Sequence, residues 1–227
     1  MITTVIFDLD DTLYDEIDFC RSGFRAVAEC IATLSDGPSA DALFDAIWAC
    51  FTPANRGKTF DAALRRLGIP ADGPLLNQLV ELYRTHSPAI TLPTESRNTL
   101  EELRDRYALA LLTDGYLPTQ RHKVKALGIE PYFKAILYTE ELGREHWKPS
   151  PAGFERLLKA LSVGPEQAVY VADSEAKDFI APNRLGMMTI QILRPHRLHR
   201  QAAPLPGAVP KHRIDRIGSL TTLLAQY

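Results

Sequence analysis

The chain has 227 residues, 45% of them hydrophobic and 24% charged, with 26 Lys+Arg against 28 Asp+Glu. That length suits one medium domain or a domain carrying a smaller insert, and a net charge of −2 argues against a general nucleic-acid binder. Three cysteines (Cys20, Cys30, Cys50) without a CxxC pair give neither a disulfide scaffold nor a zinc site.

The first strand is Ile2 to Phe7, a β-branched and aromatic run that stops at Asp8-Leu9-Asp10-Asp11-Thr12. A short continuous apolar run of this kind suits a strand buried on both faces of a parallel sheet. Four segments at helical spacing follow: Ile17–Leu34, Ala40–Phe51, Thr59–Leu67 and Pro74–Arg84, separated by Gly- and Pro-containing breakers. They predict an all-helical insert over 15–91. After Pro93 the pattern becomes an alternation. Helix Glu95–Asp105 leads to strand Ala108–Leu112, and helix Pro118–Leu127 is closed by Gly128. Strand Ala135–Tyr138, helix Pro151–Leu161, strand Ala168–Ala172, helix Glu175–Leu185 and strand Met188–Leu193 complete the pattern. The expected fold is α/β: a doubly wound, Rossmann-like parallel sheet formed by 1–14 and 92–227. Arg194–Arg213, with five Lys/Arg, four prolines and no acid, reads as a solvated loop; the alternative is a docking strip for an anion or a partner. The last helix covers about Ile217–Gln226.

Three predicted strands end in polar residues: Asp8 with Asp10, Thr113, and Asp173. In an open parallel sheet the ligand crevice lies outside those tips. Three converging carboxylates repel one another unless a divalent cation neutralises them. Hard oxygen ligands that leave room for water and phosphate suit Mg²⁺. A carboxylate is a competent nucleophile toward phosphorus. Lys148, ahead of a Pro-Ser-Pro turn, supplies a fixed cation, and the Thr113 hydroxyl supplies a donor, for a transferring phosphoryl group.

DLDDT at 8–12, LLTDG at 111–115, KPSP at 148–151 and VADSEAKD at 171–178 resemble, in order, the four motifs of the haloacid dehalogenase superfamily. The resemblance spans nearly the whole chain. It implies Asp8 as nucleophile and Asp10 as the general acid/base. It implies Thr113, Asp114 and Lys148 around the phosphate, and Mg²⁺ on the Asp8 carboxylate, the Asp10 backbone carbonyl and Asp173. Asp178 would brace that network, and the helical insert would be a mobile cap that excludes water. Four features depart from the pattern. Ala172 stands where Gly is common. Lys177, directly before Asp178, is expected to point into solvent. The approach to Lys148 is about two residues long in excess. Asp114 replaces a frequent Asn, and either recognises a substrate group or bonds its own backbone.

His86, His122 and His146 share no metal-ligand spacing, and Trp48 and Phe51 read as core. Arg56 and Lys58 are candidates for an anionic leaving group. The expected activity is Mg²⁺-dependent hydrolysis of a small phosphorylated metabolite, in a monomer or homodimer without nucleic-acid or membrane partners. A sugar phosphomutase, a 2-haloacid dehalogenase and a non-catalytic binding module are the alternatives. The longest stretch free of Asp, Glu, Lys and Arg is 11 residues, Ile217–Tyr227, short of the roughly 18 a membrane span needs. With no basic leader at its start, the chain is expected to be cytoplasmic.

Overall fold

The computed structural model describes residues 1–34, 37–51, 57–198 and 205–227. The chain divides into two compact units: Met1–Glu16 together with Thr91–Tyr227, and Ile17–Ile90.

The first unit is built on six parallel strands: β1 (Thr4–Phe7), β2 (Ala108–Thr113), β3 (Ala135–Tyr138), β4 (Ala168–Ala172), β5 (Met188–Ile192) and β6 (His212–Ile214). Their order is β3-β2-β1-β4-β5-β6. The chain leaves β1 toward β2 on one side and returns to β4 on the other, so the order reverses beside β1, where ligands of open α/β sheets bind. Side chains alternate across the sheet. Ile6, Ala110, Leu112 and Tyr170 share a buried cluster with Phe154, Leu157 and Leu158 of the helix Ala152–Leu161. From the opposite face, the Phe7 ring meets Phe133 edge-on at 6.4 Å.

The second unit holds most of helix α1 (Glu16–Leu34), then α2 (Ala40–Cys50), α3 (Thr59–Arg66) and α4 (Gly73–Thr85). Its interior is aromatic. Phe24 lies 5.0 Å from Phe51, 5.4 Å from Tyr83, 5.9 Å from Phe60 and 6.2 Å from Trp48. Buried His86 is satisfied by the Tyr83 carbonyl at 2.7 Å and the Ser22 hydroxyl at 3.0 Å.

The remaining helices belong to the first unit: α5 (Thr94–Arg104), α6 (Leu117–Leu127), α7 (Ala152–Leu161), α8 (Ile180–Leu185) and α9 (Ser219–Leu224). Gly128 closes α6 at φ 64°, a conformation that glycine adopts freely.

Two expectations from the sequence are corrected. The helix expected from Glu175 begins only at Ile180. Ser174–Asp178 is instead a turn in which the Ser174 N–H donates to the Asp178 carboxylate and the Asp178 N–H to the Ser174 carbonyl; such local side-chain bonds compete with a helix. The segment Arg194–Arg213 is no plain solvated loop. The Leu198 N–H donates to Asp11 (2.6 Å), Arg194 pairs with Asp15 (2.5 Å), and His212–Ile214 forms the edge strand β6. Residues 199–204 lie outside the described ones.

Candidate active site

The strand register sets the site. Phe7 is level with Leu111 of β2 and Val171 of β4, so Asp8, Thr113 and Asp173 all emerge just past the same edge. Asp8 continues the ladder through its N–H, which donates to the Val171 carbonyl at 2.9 Å. Beyond these tips lies a cleft of about 450 Å³, lined among others by Asp8, Asp10, Asp114, Lys148, Asp173 and Lys177. That size suits a small-molecule ligand.

One buried network surrounds Asp8. The Lys148 ammonium donates to Asp8 Oδ1 at 2.6 Å and to the Tyr170 hydroxyl at 2.9 Å, and it lies 2.7 Å from Asp178 Oδ1. Asp178 is fully buried and also accepts from Tyr170 at 3.2 Å. Burial pushes the Asp8 carboxyl up to about 6 against the pull of Lys148. Burial would also raise Asp178, but Lys148 and Lys177 outweigh it and hold that carboxyl below the usual range. The Lys148 side chain is itself buried, yet Asp178 and Asp8 keep it firmly protonated. A buried ammonium shared by two carboxylates is a stable arrangement only when all three stay together.

A second network holds Asp10, and it faces α6. Asp10 Oδ1 accepts from the Tyr14 hydroxyl at 2.5 Å and from the Lys123 ammonium at 2.7 Å. Asp10 Oδ2 accepts from the Gln120 amide at 3.0 Å, and the same amide donates to Thr113 Oγ1 at 2.5 Å. Burial works against the Asp10 charge, but the Lys123 charge and the hydrogen bonds from Lys123, Tyr14 and Gln120 overcome it and hold its carboxyl low. Gly115 makes the Gln120 contact possible: its φ is 136°, and a Cβ there would sit 3.0 Å from the Gln120 side chain.

The remaining carboxylates suit a hard cation. Carboxylate oxygens of Asp8, Asp173 and Asp178 lie within 4.8 Å of one another. Asp173 Oδ2 is buried with no hydrogen-bond partner among the described residues, and burial, then Asp178 and Asp8, push its carboxyl well up. An orphaned acceptor of this kind calls for a partner. Asp178 is already committed to Lys148, Tyr170 and the Ser174 N–H, which leaves Asp8 and Asp173 as the side chains to hold an ion.

The model of the haloacid dehalogenase-like hydrolases matches residues 2–186. The chain belongs to that family. A glyceraldehyde 3-phosphate phosphatase of Methanopyrus kandleri is 34% identical over 202 residues, covering 86% of this chain and 85% of the relative. The human N-acylneuraminate-9-phosphatase is 28% identical, covering 98% and 94%. Among solved structures, the 2-haloacid dehalogenase of Pseudomonas syringae pv. Tomato superposes with a TM-score of 0.65 at 26% identity, covering 100% and 99%. The chain is thus a hydrolase with an α/β Rossmann-like fold.

In this hydrolase the cleft gathers Asp8, Asp10, Asp114, Lys148 and Asp173. Thr113 sits behind them, 1% exposed and held by Gln120. Among the described residues, the Asp114 carboxylate bonds to other segments of the chain and not to its own turn. It accepts from the Lys148 N–H at 3.2 Å and from the Thr139 hydroxyl at 2.7 Å, so it fixes the loop that carries Lys148. Lys177 does not point away from the site: it lines the cleft, 3.6 Å from Asp114. Arg56 lies outside the described residues, and Lys58 is exposed. Among the described residues, no helix is long and apolar enough to cross a membrane.

Sequence reasoning missed Tyr14, Gln120, Lys123 and Tyr170. The signal for the α6 pair was present. Gln120, Lys123, Val124 and Leu127 follow the i, i+3, i+4, i+7 stripe of a buried helix face, and all four are buried. A lysine on such a stripe needs an acid opposite it. Tyr170 gave a similar sign, a phenol inside an otherwise apolar strand whose hydroxyl needs a partner.

Proposed function

We propose that this hydrolase is a Mg²⁺-dependent phosphatase of small phosphorylated metabolites that works through a phosphoryl group on Asp8. The observation that carries this reading is the separation of its two acids. Asp8 lies against Lys148 and Asp173, whereas the Asp10 side chain is held by α6. Two carboxylates in different surroundings can divide nucleophilic and proton-transfer roles.

Asp8 attacks phosphorus, an oxygen–phosphorus bond forms, and the bond to the leaving alcohol breaks. Asp10, held ionised in the free protein by Lys123, takes up a proton as the phosphate dianion binds beside it and gives that proton to the leaving oxygen. It then takes a proton from the water that attacks the aspartyl-phosphate, which frees inorganic phosphate and restores Asp8. Lys148 pins Asp8 Oδ1 and offsets negative charge beside the reacting phosphoryl group. The Thr113 oxygen receives the Gln120 amide, and its O–H, 3.5 Å from the Asp114 carbonyl, can turn to the phosphate. Mg²⁺ would be held by the Asp8 and Asp173 carboxylates and the Asp10 carbonyl, where it neutralises charge shared with the phosphate. The helical unit Ile17–Ile90 is read as the cap that selects the leaving alcohol.

The substrate class follows from the relatives' names. Glyceraldehyde 3-phosphate and an N-acylneuraminate 9-phosphate both carry phosphate on a primary alcohol, a leaving group that needs a proton. A dehalogenase releases a halide, which departs without a proton, so it gives an acid such as Asp10 no leaving group to protonate. The phosphatase names of both relatives favour hydrolysis over a mutase. Chelation should abolish turnover of a triose phosphate or an aryl phosphate, and added Mg²⁺ should restore it. Full turnover in excess chelator would remove the metal from this account.

A further inference from the structure

We propose that Lys123, acting with Tyr14 and Gln120, is a positioning residue that aims the Asp10 carboxyl group at the leaving oxygen. This rests on the acid/base role given to Asp10 above and names the part of the chain that makes the role geometrically possible.

The argument starts from acceptor sites. A carboxylate offers about two acceptor sites on each oxygen. Asp10 Oδ1 has two donors, the Tyr14 hydroxyl at 2.5 Å and the Lys123 ammonium at 2.7 Å. Oδ2 has one, the Gln120 amide at 3.0 Å. Among the described residues, Oδ2 is therefore the oxygen with room to pass a proton. Three donors from two places, the loop after β1 and helix α6, leave the group little freedom to rotate. Proton transfer to a departing oxygen depends on such aim, because the distance window is narrow.

Lys123 is costly to keep where it is. Its side chain is 4% exposed, and Glu16, 3.9 Å away, is the second acid near its ammonium. If the pair only served packing, an apolar side chain of similar volume would replace the lysine at no loss of function. Gln120 adds a second reason to read the cluster as catalytic support. Its amide spans Asp10 Oδ2 and Thr113 Oγ1, so one helix face sets both the proton donor and the phosphate-side hydroxyl. Gln120 and Lys123 are three residues apart and thus neighbours on that face.

Leaving-group dependence separates aim from stability. A nitrophenolate departs without a proton, whereas the alkoxide of glycerol 3-phosphate does not. Single-turnover phosphorylation of the Mg²⁺-loaded protein by each substrate gives an alkyl-to-aryl rate ratio. Lys123→Met should lower that ratio by about tenfold to a hundredfold, part of the 10²–10⁴-fold that general acid help is worth, while aryl phosphorylation stays near the wild-type rate. Tyr14→Phe removes only a hydroxyl and should shift the ratio in the same direction by a smaller factor, which covers the case of a Lys123→Met protein that does not fold. Lys123→Arg should recover part of the loss. Equal slowing on both substrates, or an unchanged ratio in both Lys123→Met and Tyr14→Phe, would overturn the proposal. Asp10→Asn is the reference. If it lowers the ratio and the Lys123 and Tyr14 variants do not, the positioning claim alone fails. If Asp10→Asn leaves the ratio unchanged, the acid role of Asp10 fails, and the positioning claim with it.

Discussion

In the helical unit Ile17–Ile90 the described interior is filled by rings and aliphatic chains around Phe24, and its buried polar members are Thr59 and His86. The α/β unit instead buries Asp8, Asp11, Lys123, Lys148, Asp173 and Asp178. The first set gains free energy by leaving water. The second loses solvation, which ion pairs such as Lys148 with Asp8 and Asp178 and backbone donors such as the Glu16 and Leu198 N–H groups on Asp11 offset, around strand ends where six parallel strands fix the spacing. Stability and chemistry are thus drawn from different side chains in the two units, and a substitution should expose which one it has touched.

Lys148→Met should have the largest effect on both properties. It strips the shared cation from Asp8 and Asp178, and breaking a buried pair from one side costs about 3–5 kcal/mol. Turnover should fall by about 10²–10³-fold, as for loss of a preorganised charge at a reacting group. Urea melts beside steady-state kinetics read both numbers. A Lys148→Met protein of wild-type stability would mean that the carboxylates are not held by this ammonium.

Phe24→Ala should split the comparison the other way. Removing a core ring costs about 3–5 kcal/mol, visible as a lower urea midpoint. Below that midpoint, phosphorylation of Asp8 by a small aryl phosphate should stay within about tenfold of wild type, since no residue of the described network belongs to the helical unit. A loss as large as that of Lys148→Met would break the division between the two units.

The sheet and its tips were legible in the sequence because apolar runs that stop at Asp8, Thr113 and Asp173 are what buried parallel strands with a crevice at their ends require. Strand β6 was not legible: three residues, His212-Arg213-Ile214, inside a basic, Pro-containing segment carry no strand signature. Its role is nonetheless concrete. Arg213 donates to Gln191 Oε1 at 3.0 Å, and the Gln191 amide donates to the Asp173 carbonyl at 2.9 Å. Helix α8 starts later than its apolar periodicity predicts because the Asp178 carboxylate bonds back to the Ser174 N–H. Local propensity does not reveal that competition unless the position of Lys148 is known. Asp114 and Lys177 lie far apart along the chain but 3.6 Å apart in the fold, a pairing that no local pattern in the sequence reveals. The Asp10 clamp was within reach, since a lysine on a buried helix stripe is a local contradiction that only a distant acid resolves.

Trapping the phosphorylated protein tests the central claim most directly. The Mg²⁺-loaded protein is mixed with a triose phosphate, quenched in acid during turnover, digested and mapped by mass spectrometry. The account predicts one phosphoryl group on the peptide that carries Asp8, and none in Asp8→Asn. Turnover with no phosphoryl group on any carboxylate, or with the group on a residue other than Asp8, would contradict it.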